Sequence, residues 1–247
     1  LGFVTLVNDA MVRNQLVLVA LRPGLWHRRV NAVVSSENHW TTGGLPTGAQ
    51  VQLHGSAEFK NFWGSSFTYT ASQLGPTHCV SCARGGPALR LSPAHRVALT
   101  FDGDNRKSII PELDLVFSTA DEGRSWSREA EVGLEARIGS RTSFELSTGY
   151  ERRVLDAQWV ANAGSTLTDT AHFTFARLAQ DQLDITARAN VTLSPTLSVQ
   201  VYAQPFVASG DYSDWRELAD PRAKEYAARY TPYGGGAGCC GSRSRSR

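Results

Sequence analysis

Residues 183–206 read LDITARANVTLSPTLSVQVYAQPF, and this stretch decides the fold. Successive side chains of a β-strand point to opposite faces of a sheet, so strict alternation of apolar and polar residues indicates a strand between two different environments. The alternation is complete over 183–193, and it resumes over 197–204 after a turn at Ser194-Pro195-Thr196. The stretch therefore predicts a β-hairpin with one apolar face and one polar face.

A second hairpin precedes the first. Residues 130–138 alternate in the same way, a short Gly139-Ser140-Arg141 turn follows, and Phe144, Leu146 and Tyr150 continue the pattern. Weaker strand patterns cover 51–63, 97–101, 113–117, 158–163 and 170–178. The sequence thus predicts an all-β protein, an antiparallel meander of about ten strands.

Periodicity alone does not say what covers the apolar face, because lipid and a second packed sheet both select the same pattern. The predicted turns are tight at 139–141 and 194–195 and long at 73–93 and 161–169, which is typical of transmembrane barrels. Aromatic residues near predicted strand ends fit an interfacial girdle, although the core of a soluble sandwich would use the same residues. These aromatic residues are Trp63, Trp126, Tyr150, Trp159 and Phe173.

Composition narrows the class of protein. A hydrophobic fraction of 41% and a charged fraction of 19% argue against a wholly disordered chain. The longest apolar run, residues 16–21, is far shorter than the ~20 residues that a transmembrane helix needs. The net charge of +2, with Arg and Glu alternating along the same segments, does not indicate a nucleic-acid partner.

The motif LSPTLSVQVYAQPF at 193–206, continued by Ala208-Ser209-Gly210-Asp211-Tyr212-Ser213, carries a resemblance to a known family. Shorter matches lie at 190–192, 84–87 and 104–107. The chain resembles the bacterial barrel domain of unknown function that follows a family-nine-like carbohydrate-binding module, over residues 1 to about 230. The resemblance implies an outer-membrane β-barrel of a Gram-negative bacterium, with lipid as a partner and a periplasmic carbohydrate-binding-like module upstream that this chain lacks.

Two segments depart from the alternation after the motif. Ser213 and Asp220 suit helix N-caps and Pro221 suits a first helical position, so a short helical loop is predicted near 213–228. Family members continue into further strands, whereas residues 234–247 consist of Gly-Cys and Ser-Arg repeats. We therefore expect a fragment: a partial barrel at 1–233 and a disordered tail at 234–247, the alternatives for the tail being an RNA-binding segment or translation outside the native frame.

Three groups of residues are candidate chemical sites. Cys79 and Cys82 form a CxxC that could be a local disulfide, half of a metal site or incidental loop cysteines. The segment Asp102-Gly103-Asp104-Asn105 has calcium-like oxygen ligands, but a turn explains it better because the completing Glu of an EF-hand is missing. Glu129, Glu131 and Glu135 share a strand face, either as paired glycosidase-like carboxylates or as a solvated wall.

No nucleophile elbow, phosphate-binding glycine loop or zinc-protease motif is present in the sequence, so no catalytic residue, metal or cofactor is predicted. The leading hypothesis is a noncatalytic outer-membrane barrel for capture or passage of a carbohydrate. The alternative is a soluble all-β carbohydrate-active module of glycoside hydrolase type. The candidate lumen-facing ligand contacts are Arg188, Asn190, Gln200, Tyr202 and Gln204.

Overall fold

The computed structural model of the chain describes residues 8–164 and 171–233, and most of these lie in β-strands. Within this part of the chain, no helix is long and apolar enough to cross a membrane. The strands are β1 (Asp9–Ala20), β2 (His27–Thr41), β3 (Pro46–Phe59), β4 (Gly64–Ser72), β5 (His78–Cys79), β6 (Leu89–Arg90), β7 (Ala94–Asp102), β8 (Ile109–Ala120), β9 (Ser125–Ile138), β10 (Thr142–Ala163), β11 (His172–Ser194), β12 (Leu197–Ala203), β13 (Phe206–Leu218) and β14 (Tyr230–Pro232).

The main sheet has twelve strands in the order β1-β2-β3-β4-β7-β8-β9-β10-β11-β13-β14, with β12 also paired to β11. Every pairing in this sheet is antiparallel and joins strands that follow each other closely along the chain. The small β5–β6 sheet lies in the connection between β4 and β7. The predicted all-β antiparallel meander is therefore confirmed.

Both predicted hairpins form in the expected register. In the β11–β12 pair Val191 lies opposite Val199 and Arg188 lies opposite Tyr202, so apolar residues meet on one face and polar residues on the other. In the β9–β10 pair Leu134 lies opposite Leu146. A slip of one residue would exchange the two faces, so this shared parity fixes the register across the sheet.

Several strands are longer than the sequence patterns indicate. The predicted segments 144–150 and 158–163 belong to the single strand β10, and 183–193 continues the strand that begins at His172. Strands β1, β2 and β4 have no counterpart among the predicted segments. In β2, Ser36 and Asn38 lie on the face where the alternation would require apolar side chains, which explains why this strand escapes a pattern search.

The predicted helical loop at 213–228 is wrong over its first part. Residues 213–218 belong to β13, where Ser213 lies opposite Arg177 and Arg216 lies opposite Phe175. A β-bulge between these pairs places Asp214 at a φ of 50°, and the extra residue breaks the alternation. Cross-strand pairing thus outweighs the local helix signals, and the only helical turn in this region is the 3₁₀ turn Tyr226–Arg229.

Strands β12 and β13 follow one line along β11. Ala203 lies opposite Ala187 and Phe206 lies opposite Asp184, so the register is the same on both sides of the interruption. Pro205 has no N–H to donate, although its carbonyl accepts a hydrogen bond from the Ile185 N–H at 3.0 Å. The interruption is therefore a local loss of one donor. Strands β12 and β13 form one edge of the sheet, apart from the last residues of β13, which pair with the short strand β14, and β1 forms the other edge.

The connections separate into two rims. One rim carries the connections 21–26, 60–63, 103–108, 139–141 and 195–196, and we call it the short-loop rim. The opposite rim carries 42–45, 73–93, 121–124 and 219–229, and we call it the long-loop rim because both connections of more than ten residues lie there. The predicted contrast between tight and long turns is confirmed at 139–141, 195–196 and 73–93. The tail 234–247 and most of the predicted 161–169 loop lie outside the described residues.

Packed core is concentrated at the long-loop rim. Ala83, Leu89, Phe175 and Leu218 form the buried cluster, where residues of the 73–93 connection contact the ends of β11 and β13. Strand β10 pairs with β9 only as far as Val154, which lies opposite Trp126. The remaining residues of β10 therefore extend beyond the β8–β9 connection. The 73–93 connection packs against this projecting part, with the Asn162 amide donating to the carbonyls of Ala83 and Arg84 at 3.1 and 3.0 Å.

Candidate functional site

One face of the main sheet is apolar and exposed. Across the sheet, Leu115, Ala130, Tyr150, Leu183 and Val207 lie directly opposite one another in successive strands and therefore share this face. Twelve of its large side chains have between 38% and 58% of their surface exposed and Val207 has 71%, which is far from a packed core. These twelve members of the apolar face are Val34, Leu53, Phe67, Phe117, Val132, Leu134, Phe144, Leu146, Ile185, Leu193, Val199 and Val201.

The apolar face has a defined height. On β11 it runs without a charged residue from Leu183 to Leu193. With a rise of ~3.4 Å per residue and a strand tilt of ~40°, this span corresponds to ~26 Å along a barrel axis, close to the ~25 Å band of outer-membrane barrels. Charged side chains begin directly beyond it, at Asp181 on the same strand and at Arg152 on β10, where the two lie 3.9 Å apart.

Aromatic side chains mark this border only in part. The Tyr150 hydroxyl donates to Asp181 at 2.6 Å, and the Arg128 guanidinium lies 5.1 Å from the Trp126 ring centroid. Both aromatic residues fit the predicted girdle. Trp63 lies at the opposite, short-loop rim, whereas Trp159 and Phe173 pack against the buried cluster of the long-loop rim. The girdle prediction is therefore wrong for Trp159 and Phe173.

The opposite face of the sheet is polar and strongly acidic. Carboxylates lie directly opposite each other in adjacent strands, as in Asp102 with Glu112, Asp114 with Glu131, Glu129 with Glu151, and Glu135 with Glu145. Such like-charge pairs are destabilising unless water or counter-ions separate them. We call this set the acidic tract: Asp102, Glu112, Asp114, Glu129, Glu131, Glu135, Glu145, Glu151 and Asp184.

Glu129, Glu131 and Glu135 share the polar face as predicted, and their nearest partners come from other strands. Gly149 lies opposite both Glu131 and Asp184, and a Cβ at Gly149 would lie 3.0 Å from the Asp184 carboxylate. The glycine therefore makes room for a carboxylate in the middle of the acidic tract. Within residues 8–164 and 171–233, no group of three or more His, Cys, Asp or Glu side chains is arranged to hold a metal ion.

The predicted ligand contacts meet on the polar face near the short-loop rim. The Arg188 guanidinium lies 5.1 Å from the Tyr202 ring centroid and 3.4 Å from the Glu145 carboxylate. Asn190 lies opposite Gln200 and donates to the Ser143 hydroxyl at 3.3 Å, and the Tyr202 hydroxyl donates to Gln204. The five residues form an exposed array of amide, guanidinium and aromatic groups that can hydrogen-bond and stack on a hydroxylated ligand.

A polar groove of about 560 Å³ also opens near the short-loop rim. Glu58 and Phe62 border it on one side, and Asp102, Asn105 and Glu112 border it on another. Phe62 adopts a φ of 67°, and the guanidinium groups of Arg28 and Arg106 lie 3.8 and 2.9 Å from its ring centroid. The sequence pattern gave no sign of this groove, because its residues come from separate hairpins.

The segment 102–105 leads into a turn and does not form a calcium-binding loop, in agreement with the sequence-based prediction. The Asp104 carboxylate accepts hydrogen bonds from the Arg106 N–H at 3.0 Å and from its guanidinium at 2.8 and 2.7 Å. These hydrogen bonds, outweighing the effect of burial, lower the pKa of Asp104 to about 2. The carboxylate is therefore occupied within its own turn and is not directed toward a cation.

At the long-loop rim, four polar side chains form a buried network that we call the rim cluster: Asp156, Arg177, Arg216 and Tyr226. The Asp156 carboxylate accepts from Arg177 at 2.9 Å, from Arg216 at 2.9 Å and from the Tyr226 hydroxyl at 3.0 Å. Its own N–H donates to the Ser125 hydroxyl at 2.9 Å. The cluster therefore joins the ends of β10, β11 and β13 to the 219–229 connection.

Titration of the rim cluster reflects this network. Burial works against ionisation of Asp156, but the hydrogen bonds from Arg216, Tyr226 and Arg177 outweigh it and lower the pKa of the carboxyl group. Burial raises the pKa of Tyr226, and burial together with nearby Asp121 raises the pKa of Tyr230 to about 12. An ionised Asp156 among two arginines and a neutral tyrosine is thus the favoured state.

A disulfide joins Cys79 and Cys82, which selects one of the three predicted states of this CxxC. It closes a short loop next to Ala83, and Cys82 packs against the buried cluster. Arg84 follows, with its guanidinium 4.1 Å from the Trp159 ring centroid. The bond therefore restrains the segment that anchors the 73–93 connection to β10. Cys239 and Cys240 lie outside the described residues.

Replacement of both Cys79 and Cys82 by Ser is expected to loosen this connection. Loss of so short a closed loop removes about 2 kcal/mol of local stabilisation on the chain-entropy model. Trypsin should then cleave after Arg84 faster than in the parent chain, as followed by mass spectrometry, because local opening exposes the backbone. Cleavage after Arg141, in the opposite rim, serves as the control, and equal rates at Arg84 in both chains would contradict the expectation.

Comparison of the chain with protein-family models, with curated proteins and with solved structures gives no match.

Proposed function

We propose that the chain forms part of the wall of a noncatalytic β-barrel in the outer membrane of a Gram-negative bacterium. The observation that carries the proposal is the exposed apolar face. Monomeric soluble proteins rarely expose a contiguous apolar patch larger than a few hundred Å². Within the described residues the only other sheet is the small β5–β6 pair, which cannot cover a face that extends over most of the main sheet. Lipid is a suitable cover for it.

Three further features support the proposal. The uncharged band has the height of a bilayer core, and charged residues begin at its border. The connections at one rim have six residues or fewer, and both connections of more than ten residues lie at the other rim, a contrast that bacterial outer-membrane barrels also show. The Cys79–Cys82 disulfide suits an oxidising compartment outside the cytoplasm. The resemblance of the 193–213 motif to an outer-membrane barrel family agrees with all three.

Membrane insertion also sets a requirement on the edges of the sheet. Strand β1 forms one edge of the long meander and the β12–β13 line forms the other except where β14 pairs with the end of β13, and the two edges do not pair with each other within the described residues. Each unpaired backbone N–H or C=O in hydrocarbon costs several kcal/mol. The proposed barrel therefore needs pairing partners for both edges, either further strands of the same protein or strands of another chain.

The polar face then lines the interior, and we propose passage or capture of a carbohydrate as its role. Arg188, Asn190, Gln200, Tyr202 and Gln204 supply an aromatic ring beside hydrogen-bonding groups. The acidic tract disfavours anionic solutes through like-charge repulsion. The amide and aromatic groups of the five residues suit a hydroxylated solute without negative charge. The contact between Arg188 and Tyr202 is the observation that favours sugar stacking, because it fixes the ring beside a donor.

The alternative function, a soluble carbohydrate-active module, makes a different prediction of solubility. It would need a second sheet over the apolar face, with carboxylates of the acidic tract acting as a hydrolytic pair. The 247-residue chain should therefore be refolded in buffer, in detergent and with lipid vesicles. We expect β-structure with heat-modifiable gel mobility only with detergent or lipid, and a monodisperse monomer without detergent would contradict the barrel.

The carbohydrate role is tested separately. Binding of neutral oligosaccharides to the detergent-folded chain can be compared with binding to Tyr202→Ala, and Trp63→Ala, at an exposed aromatic residue of the β3–β4 connection, serves as the matched control. Weaker binding in the Tyr202 variant alone supports the role. Equal binding by all three chains would remove Tyr202 from the contact surface and leave the barrel proposal unaffected.

A further inference from the structure

A second groove, of about 640 Å³, lies at the long-loop rim, away from the predicted ligand contacts. Four aromatic side chains line it: Trp215 on β13, Tyr226 in the 3₁₀ turn, Tyr230 on β14 and Tyr233 directly after β14. Trp215 and Tyr233 are 44% and 48% exposed, so their rings can accept a ligand. Two arginines, Arg124 and Arg216, also line the groove.

The groove is held in shape by contacts on several sides. The Tyr233 N–H donates to the Trp215 carbonyl at 2.8 Å, which joins the two exposed aromatic residues through the backbone. The Tyr230 ring lies 5.4 Å from the Phe175 ring and 5.5 Å from the Tyr226 ring, and Arg216 is fixed by Asp156. These aromatic platforms are therefore preorganised, which lowers the entropic cost of binding.

The β-bulge at Asp214 shapes the groove. Asp214 has a φ of 50°, a left-handed conformation that Asp adopts more readily than most residues. It precedes Trp215 at the point where β13 loses its regular pairing with β11. The Trp215 ring lies 6.1 Å from the Tyr212 ring at an angle of 37°, so one aromatic surface extends from the groove along β13. A sheet without the bulge would keep residue 215 in the regular ladder.

Charge indicates the kind of ligand. The groove lining holds two arginines, Arg124 and Arg216, and one carboxylate, Asp214. Arg216 is already paired with Asp156 behind the lining. Arg124 is the accessible cation, because its contact with Glu122 at 3.1 Å joins two exposed side chains and is weak. Its guanidinium can bind a carboxylate in a bidentate manner, while the Asp214 carboxylate can accept hydrogen bonds from hydroxyl groups.

We propose that this groove binds a saccharide that carries a carboxylate, with sugar rings stacked on Trp215 and Tyr233 and the carboxylate bound by Arg124. The proposal goes beyond the barrel and does not depend on it, because the groove lies at the rim, outside the uncharged band. It also differs from the polar face, where the acidic tract disfavours an anionic ligand.

The test titrates the 247-residue chain, folded in whichever of buffer or detergent yields β-structure, with trigalacturonic acid and with neutral maltotriose, and follows tryptophan fluorescence and heat. We expect the acidic trisaccharide to bind and maltotriose to bind at least tenfold more weakly. Trp215→Ala should weaken binding about tenfold through loss of one stacking contact. Arg124→Gln should remove the preference for the acidic sugar. Trp63→Ala, an exposed tryptophan at the opposite rim, should bind like the parent chain.

Circular dichroism of each variant shows that the fold is retained, so a loss of binding is attributable to the groove. Equal affinity for the two trisaccharides, or unchanged binding by Trp215→Ala, would overturn the proposal. Binding only to vesicles that contain lipopolysaccharide, with none to trigalacturonic acid, would also overturn it and assign the groove to a lipid headgroup. These outcomes do not bear on the barrel proposal, because that proposal is tested by whether the chain folds in buffer or only with detergent or lipid.

Discussion

Val132→Arg is expected to prevent stable insertion of the chain into a bilayer. Val132 lies on β9 within the apolar face, with 56% of its surface exposed, between Leu113 on β8 and Thr148 on β10. An arginine on the lipid side of a barrel costs about 2–4 kcal/mol near the bilayer midplane. On an exposed surface of a soluble sheet, the same substitution would change stability by only about 0.5 kcal/mol. The expected effect is therefore large only if this face is covered, and the loss must appear in vesicle insertion for lipid, rather than a second sheet, to be the cover.

Glu131→Arg is the matched control, since residue 131 precedes Val132 and points to the other face. It faces Asp114 and Gly149, so an arginine there reduces like-charge repulsion in the acidic tract. The measurement is the fraction of chain that refolds into vesicles with heat-modifiable mobility, followed across a urea titration. We expect a loss for Val132→Arg and none for Glu131→Arg. Equal folding of both variants would contradict a lipid-facing role for the apolar face.

The hairpins were predictable because their information is local. A strand alternates with a period of two, so the run from Leu183 to Leu193 reports both its secondary structure and its two environments without knowledge of its neighbours. The register followed from the same pattern, since Val191 can face Val199 on an apolar face only in one parity. Periodicity does not tell whether lipid or a second sheet covers that face. A lipid cover therefore stays a prediction, based on the family resemblance and on the exposure of the apolar side chains.

The strands that were missed show where local information ends. At β13 a bulge at Asp214 interrupts the alternation, and Pro205 interrupts the pairing, so the sequence resembles a loop although the chain remains extended. The end of β10 and the start of β11 were predicted only as weak strands at 158–163 and 170–178, because they contact the buried cluster and their burial follows tertiary packing rather than a two-faced pattern. Cross-strand partners override local propensity in both cases.

The candidate sites divide in the same way. Arg188, Asn190, Gln200, Tyr202 and Gln204 could be assigned to one face because they belong to a single hairpin. The acidic tract could not, since Asp102, Glu151 and Asp184 meet only through the pairing of five strands. The rim cluster is the extreme case, because its members come from β10, β11, β13 and a 3₁₀ turn. No spacing in the sequence signals such a network.

Asp156→Ala is expected to open the long-loop rim. Asp156 is only 4% exposed, and its removal leaves Arg177 and Arg216 without their shared carboxylate. Loss of one partner from a buried ion pair costs about 3–5 kcal/mol, and we expect about 3 kcal/mol because Arg177 keeps about a third of its side-chain exposure. Faster amide hydrogen exchange in the 219–229 connection measures the effect. Asp211→Ala, an exposed carboxylate on β13, is the control.

A second variant separates a charge effect from a packing effect. Removing Arg216 together with Asp156, as Asp156→Ala with Arg216→Met, eliminates one unpaired cation and should recover part of the lost protection. If the double variant exchanges faster than Asp156→Ala alone, the carboxylate stabilises the rim by some means other than neutralising the arginines. That result would contradict the proposed role of the network.

The Asp156 carboxylate makes the stability of the long-loop rim depend on pH. The pKa of Asp156 is lowered in the folded chain from its ordinary value of 3.8. A group of this kind stabilises the folded state fully above its unfolded pKa and loses that contribution as the pH falls through the lower, folded pKa. We therefore expect protection of the 219–229 connection to be constant from pH 7 to pH 5 and to decline below about pH 4. Asp156→Asn should lack this acid-dependent step while retaining the fold of the sheet, and a decline of equal size in that variant would assign the step to another group.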